Sequence, residues 1–502
     1  MCGFCGTIPN PNQEIIAKAL KRLHHRGPDE QAVKTTPFGS LGHSRLSIVD
    51  VAHSHQPMTD GKRWIVFNGE IYNFQALHDF LQGEWHTQGD TEVVLRLIAE
   101  KGVNQIHNLD GMYAFAILDK DPLLARDAIG IKPLYCIKEG NQFHFASEIK
   151  ALLDIPGEIM EFPAGHYWQP SRGFVRFFNI DDLQWNAALP SYLPIKEYEE
   201  LIRTTLRRVV QKRLIADEGI PVGVSLSGGL DSSLIAAIAR EGRENLDTFV
   251  VGMKDSSDIF HSKEVADALG TNHHTYVYDF DEMIKVLPEV IYHLESFDAP
   301  LIRSAIPNFF LARLAAESVK VMLTGEGADE IFGGYEYLSG VTDKIKFQQE
   351  LWTITNNLHN TNLQRTDRMT MAHSIEGRVP FLDQEMIRLA LSLPAELKFH
   401  HGKGSEKTLL RNAFKGSLPD NILRRPKQKF SHGAGSRDLL GQYASQKISN
   451  KEYQDTLTKT PEAKLRSKEE YYYYRIFREQ FGDKISPQTV GRTRSITKVE
   501  LN

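Results

Sequence analysis

Residues Val222-Gly223-Val224-Ser225-Leu226-Ser227-Gly228-Gly229-Leu230-Asp231-Ser232-Ser233 constrain this chain more than any other stretch. A short apolar run that ends in Ser-Gly-Gly and passes straight into Leu-Asp-Ser-Ser reads as a buried strand, a loop of small residues and the start of a helix. Such a junction turns backbone N–H groups outward at the positive end of a helix, which makes an anion cradle of phosphate size. The serine hydroxyls add donors, and Asp231 is placed to hold a magnesium ion. No Gly-Lys-Ser/Thr follows the glycines, so the loop is not the P-loop of kinases and GTPases. A plain glycine turn would account for one glycine but not for the block.

The surrounding texture agrees with that strand and helix. A long helical run begins at Ile195 and extends to Asp217, and Thr248–Met253 and Lys320–Thr324 read as further buried strands. The helices between them make a parallel α/β sheet the expected architecture. Ligands in such sheets bind at the carboxyl ends of strands. There the chain places Thr324-Gly325-Glu326-Gly327-Ala328-Asp329-Glu330, and further on Arg365-Thr366-Asp367, Glu376-Gly377-Arg378 and Lys427. Three acids in five residues repel one another unless a cation compensates, and a magnesium ion shared by Asp231 and Asp329 would do so. After Trp352 the pattern is mostly helical, and from Lys484 it is polar and aperiodic, as expected of a mobile tail.

The first third of the chain has a different texture. It opens Met1-Cys2-Gly3-Phe4-Cys5-Gly6. Removal of Met1 would leave a free α-amine on Cys2. The amine titrates at about 7.7–8.0 and the thiol near 8.5, so one residue carries both base and nucleophile. Residues Gln13 to His25 form an amphipathic helix with Ile15, Ile16, Ala19, Leu20 and Leu23 on one face. From Leu41 to Tyr167 short apolar runs alternate with turns, which predicts two packed sheets flanked by helices, with one helix from Thr91 to Lys101.

At 502 residues two or three domains are expected. A net charge of −5 argues against nucleic-acid binding, and the basic cluster Arg424-Arg425-Pro426-Lys427-Gln428-Lys429 is too short to reverse this. Three cysteines cannot build a disulfide framework, which points to a reducing, cytoplasmic setting. No apolar run reaches the ~20 residues needed to span a bilayer, and the N-terminus lacks a signal-peptide pattern. Cys2 and Cys5 form a C-x-x-C pair, but a zinc site would need two more ligands, for which only His24-His25 is near. Cys5 and Cys136 read instead as small buried hydrophobes.

Several motifs appear in a specific order: Cys2, Arg26-Gly27-Pro28-Asp29, Arg45 to Asp50, Asn68-Gly69-Glu70-Ile71-Tyr72-Asn73 and Gly89-Asp90-Thr91-Glu92. With Gly130 to Tyr135 and Ala146-Ser147-Glu148, they resemble the class II glutamine amidotransferases, whose glutaminase domain is an N-terminal-nucleophile (Ntn) αββα sandwich. The Ser-Gly-Gly-Leu-Asp-Ser-Ser block resembles the pyrophosphate loop of the ATP pyrophosphatases, with their adenine nucleotide α-hydrolase-like sheet. From about Lys196 to Phe481 the motifs resemble the synthetase domain of the glutamine-hydrolysing asparagine synthetases.

The resemblance implies a glutaminase domain over residues 2–180, a linker at 181–195, a synthetase domain over 196–483 and a tail at 484–502. It implies that Cys2 attacks glutamine, that Asn68 and Gly69 form an oxyanion hole, and that Arg45, Leu46, Ser47, Ile48, Val49, Glu70 and Asp90 bind glutamine. Arg45 would meet the α-carboxylate, and Asp90, with Glu70 nearby, the α-ammonium. Ser225, Val251, Thr324 and Gly325 would contact adenosine, and Ser227, Gly228, Gly229, Leu230, Asp231, Ser232 and Ser233 the pyrophosphate. Asp231 and Asp329 would hold magnesium, Lys427 the charge that develops on adenylation, and Arg303 and Glu326 the acceptor. The implied substrates are L-glutamine, L-aspartate and ATP, in a protein for which a homodimer is one option and which binds neither nucleic acid nor membrane. Pro300-Leu301 stands where some family members carry a threonine pair, which leaves room for a different carboxylic acid as acceptor. A non-catalytic homologue would be expected to have lost these motifs.

Overall fold

The computed structural model describes residues 2–180, 193–399, 405–427 and 439–494. Two six-stranded sheets make up the N-terminal part. The first has the order Met160–Glu161, Tyr135–Glu139, Gln142–Ala146, Gly3–Ile8, Gly39–Arg45, Glu30–Thr36. The second has the order Gly173–Arg176, His166–Gln169, Leu123–Arg126, Gly111–Leu118, Trp64–Ile71, Met58–Thr59.

Strand alternation explains why the sheets stack. Ala114, Ala116 and Leu118 point into the layer between the sheets with Phe4, Ile8, Leu41 and Val66. Tyr113, Phe115 and Ile117 point the other way, onto the helices Phe74–Phe80 and Asp90–Lys101. Side chains two apart share a face, so one strand serves two cores. Gln13–Leu23 covers the first sheet, with Ile16, Ala19, Leu20 and Leu23 buried. The result is the expected αββα sandwich. The helix Phe74–Phe80 was not anticipated, because seven residues are too few to show a helical period.

The C-terminal part is built on five parallel strands in the order Asn272–Val277, Asp247–Gly252, Val222–Ser225, Val321–Leu323, Glu376–Arg378. The central strands are the apolar runs visible in the sequence. The two edge strands are not: Asn272–Val277 is polar, and Glu376–Arg378 carries two charges that satisfy each other, Arg378 Nε donating to Glu376 Oε1 at 2.5 Å.

Two expectations about the ends of this domain meet different fates. Residues 181–192 of the expected linker lie outside the described residues. The expected mobile tail is corrected for residues 484–494: Ile485 and Val490 are buried, and the Thr493 N–H donates to Asp298 Oδ2 at 3.0 Å. Hydrophobic spacing missed this because the tail is held largely by polar contacts.

The two parts meet across buried charges. Arg26 pairs with Asp367 at 2.8 Å and with Glu148 at 2.7 Å. Arg368 pairs with Glu295 at 2.9 Å and with Glu148 at 3.1 Å, and Arg378 reaches Glu70 at 3.2 Å. Buried ions of this kind are tolerated because each has several partners.

Candidate active site

The first strand ends its N-terminal side at Cys2, which is nearly fully buried. The Cys2 N–H donates to Asn68 Oδ1 at 3.1 Å, and Arg26 Nε donates to the Cys2 carbonyl at 3.0 Å. The first contact fixes which way the Asn68 amide faces, and it leaves Nδ2 as a buried donor with no protein partner. A preoriented, unengaged donor beside a nucleophile is what a developing oxyanion requires. Gly69 follows with φ +154°, and a Cβ there would sit 2.0 Å from the Met112 carbonyl oxygen. Only glycine fits. Burial pushes the Cys2 thiol above its ordinary value, while the charge of Arg45 acts the other way.

The expected glutamine-binding residues gather around this point. Arg45, at the end of its strand, donates from Nη2 to the Asp50 carbonyl at 3.0 Å. Leu46 to Val49 follow it; the Ser47 N–H donates to Asp29 at 2.8 Å, and Ile48 accepts from Asp217 N at 3.0 Å, tying the loop to the second domain. Asp90 opens its helix and accepts from Ile71 N at 2.9 Å. Burial, aided by the nearby Glu376 charge, raises the Asp90 carboxyl to about 7. Glu70 is raised as well, first by burial and then by Asp90, with Arg378 opposing. Two buried carboxyl groups, each raised by burial and by neighbouring acids, suit a cationic partner such as an α-ammonium group.

The second constellation lines a cavity of about 890 Å³ at the carboxyl ends of the parallel strands. Of the expected nucleotide residues, Ser225, Ser227, Gly229, Leu230, Asp231, Ser232, Val251, Thr324 and Gly325 line it, as do Arg303, Glu326, Asp329 and Lys427. Gly228 and Ser233 do not. Gly228 shapes the turn behind the cradle with φ +67°, where a Cβ would lie 2.4 Å from the His261 carbonyl carbon. Ser233 is fully buried, with no partner for Oγ.

Asp231 and Asp329 do converge, and the cation between them is a lysine. Lys407 Nζ lies 2.7 Å from Asp231 Oδ2 and 2.6 Å from Asp329 Oδ1, and Lys427 Nζ lies 2.7 Å from Asp329 Oδ2. Burial alone would raise the Asp329 carboxyl, but the two ammonium groups outweigh it and hold it far below the usual range. Carboxylates that both reach one ammonium nitrogen could equally reach one small hard cation, so the pair fits magnesium. In the same cavity Arg303 Nε donates to Glu469 Oε1 at 2.8 Å, and Glu326 is paired with Arg365. The two expected acceptor residues therefore share the cavity, each already held by a partner.

The amidotransferase domain family matches residues 1–165, and the asparagine synthase family matches residues 201–343 and 340–500. An Arabidopsis thaliana protein named asparagine synthetase [glutamine-hydrolyzing] 3 is 38% identical over 98% of this chain and 89% of its own length. A Schizosaccharomyces pombe protein named a probable glutamine-hydrolyzing asparagine synthetase is 37% identical over 96% and 94%. Asparagine synthetase B of Escherichia coli is 35% identical over 96% and 91%. The chain belongs to the family of glutamine-hydrolysing asparagine synthetases.

In this asparagine synthetase family member several lining residues carried no readable signal. Lys407 and Arg425 stand out: Arg425 donates to the Ser227 carbonyl at 3.2 Å and to Asp258 at 3.0 Å, bracing the cradle from behind. Leu226 follows the strand and donates to the Phe249 carbonyl at 2.8 Å. Basic residues beside short helices, one alone and one in a basic cluster, look like solvated surface until the fold turns them inward.

Proposed function

We propose that this protein converts L-aspartate to L-asparagine, with glutamine as nitrogen donor and ATP as activator. The observation that carries the reading is the presence of both constellations in one chain whose whole length matches the family. At the first site, once Met1 is removed, the freed α-amine of Cys2 takes the thiol proton, Sγ attacks the side-chain carbonyl of glutamine, and the resulting α-ammonium returns that proton to the departing amide nitrogen. Asn68 Nδ2 and the Gly69 N–H receive the oxyanion; ammonia leaves, and water releases glutamate. Arg45 takes the substrate α-carboxylate, and Asp90 with Glu70 the α-ammonium.

At the second site the Ser227–Ser233 cradle holds the pyrophosphate end of ATP, with Ser225, Val251, Thr324 and Gly325 at adenosine. Asp231 and Asp329 would hold magnesium, which neutralises phosphate charge when bound. The β-carboxylate of aspartate displaces pyrophosphate, with Lys427 beside the developing charge, and ammonia then displaces AMP from the acyl adenylate. Arg303 and Glu326 hold the aspartate backbone. Ammonia kept inside the protein stays unprotonated and nucleophilic, which is the physical reason to join the sites.

Cys2→Ala separates the two halves. The variant should lose glutamine hydrolysis at least a thousandfold while synthesis from added ammonium persists. Retained glutamine hydrolysis would overturn the nucleophile assignment, and pyrophosphate release with another carboxylic acid but not aspartate would overturn the acceptor.

A further inference from the structure

The C-terminal segment forms a wall of the synthetase cavity. Arg492 and Thr493 line it next to Arg466 and Glu470. Thr493 grips Asp298 twice, Oγ1 donating to Oδ1 at 2.9 Å and the backbone N–H to Oδ2 at 3.0 Å. Asp298 is fully buried and is also the N-cap of the helix Ala299–Ala315, accepting from Leu301 N at 3.0 Å. Arg466 pairs with Asp298 too, and donates from Nη1 to the Thr493 carbonyl at 3.0 Å. Arg492 donates to Glu470 at 2.6 Å, on the same helix turn as the Glu469 that holds Arg303.

The helix capped by Asp298 carries the cavity-lining Arg303 and Ser304, and Ser304 accepts from Arg365, the partner of Glu326. A continuous set of contacts therefore runs from the tail, through a helix cap, to both residues assigned to the acceptor. Ile485 and Val490 anchor the segment in the core, and Gly491 packs so closely on Asn360 that a Cβ would lie 2.0 Å from its carbonyl oxygen.

We infer that Thr493 and Arg492 are positioning residues for the acceptor: by holding the Asp298 cap and Glu470 they set where Arg303 and Ser304 stand in the cavity. The inference rests on the proposed placement of the acceptor at Arg303 and Glu326. Among the described residues, Thr493, Arg492, Asp298 and Glu470 make no hydrogen bond to the pyrophosphate cradle or to Cys2.

The test compares Thr493→Val with Thr493→Ser in the full chain, by steady-state pyrophosphate release and by glutaminase assay. Wild-type enzyme is first run with aspartate and other carboxylic acids, so that an incorrect acceptor is recognised before any variant is read. The KM of the acid that wild type does use is then followed. Thr493→Val should raise that KM about tenfold, the loss of one charge-assisted hydrogen bond. KM for ATP and glutaminase turnover should stay within about twofold, and Thr493→Ser should restore the wild-type value. An unchanged acceptor KM in Thr493→Val would overturn the inference. So would a parallel loss of ATP binding and glutaminase activity, or a Thr493→Ser variant as impaired as Thr493→Val.

Discussion

Replacing Lys407 with methionine tests the cation site between the nucleotide carboxylates. Methionine keeps most of the packing volume and flexibility of the lysine stem, so the main change is loss of the ammonium group. Asp231 and Asp329 then lose a shared partner at 2.7 and 2.6 Å and retain Lys427, at 3.6 Å from Asp231 and 2.7 Å from Asp329. Breaking a buried ion pair costs about 3–5 kcal/mol. The remaining lysine and the partial exposure of both carboxylates reduce the expected loss to about 2–3 kcal/mol. At roughly 2 °C per kcal/mol for a domain of this size, the midpoint should fall by about 5 °C.

The loss should also make stability depend on magnesium. At ten times its dissociation constant, a cation bound only to the folded state contributes about 1.4 kcal/mol, or about 3 °C. Differential scanning calorimetry of both proteins, in chelator and in magnesium chloride, measures all four midpoints. The variant should gain markedly more from magnesium than wild type, where an ammonium group competes for the same oxygens. A variant melting within about 1 °C of wild type, with the same response to magnesium, would refute the reasoning.

Gly69→Ala should abolish glutaminase turnover and lower the melting temperature, because its Cβ would strike the Met112 carbonyl 2.0 Å away and force the paired strands apart; an active, equally stable variant would argue against the tight backbone at the oxyanion site. The Asp90 carboxyl is held at about 7 by burial, against about 3.9 in an unfolded chain. Its anion therefore accumulates as pH rises through 7, and the KM for glutamine should fall about tenfold from pH 6 to pH 8. A flat profile would separate Asp90 from α-ammonium recognition.

Legibility of the sequence followed the physics of each residue. The Val222–Ser225 strand and its serine-glycine loop were readable because small and hydroxylated residues at such a junction have few other uses. Asn68 and Gly69 were readable through their motif, but the free Nδ2 of Asn68 depends on a hydrogen bond from Cys2, which no local pattern records. Lys407 stayed hidden because its partners lie 176 positions away at Asp231 and 78 away at Asp329, in the first turns of two different helices. The strand Glu376–Arg378 was hidden because its charges are buried in mutual contact rather than exposed. The docked tail was misread for a related reason: Thr493 and Arg492 find their partners in Asp298 and Glu470, and polar complementarity leaves no hydrophobic period.

In the proposed reaction, ammonia released at Cys2 reaches the acyl adenylate without entering solvent. Glutamine labelled with nitrogen-15 in its side-chain amide, incubated with the enzyme, ATP, magnesium and aspartate in excess unlabelled ammonium, tests this by mass spectrometry of the product. Asparagine and AMP should form in equal amounts, with most of the asparagine amide nitrogen labelled. Asparagine whose amide carries the isotopic composition of the bulk ammonium would contradict this route.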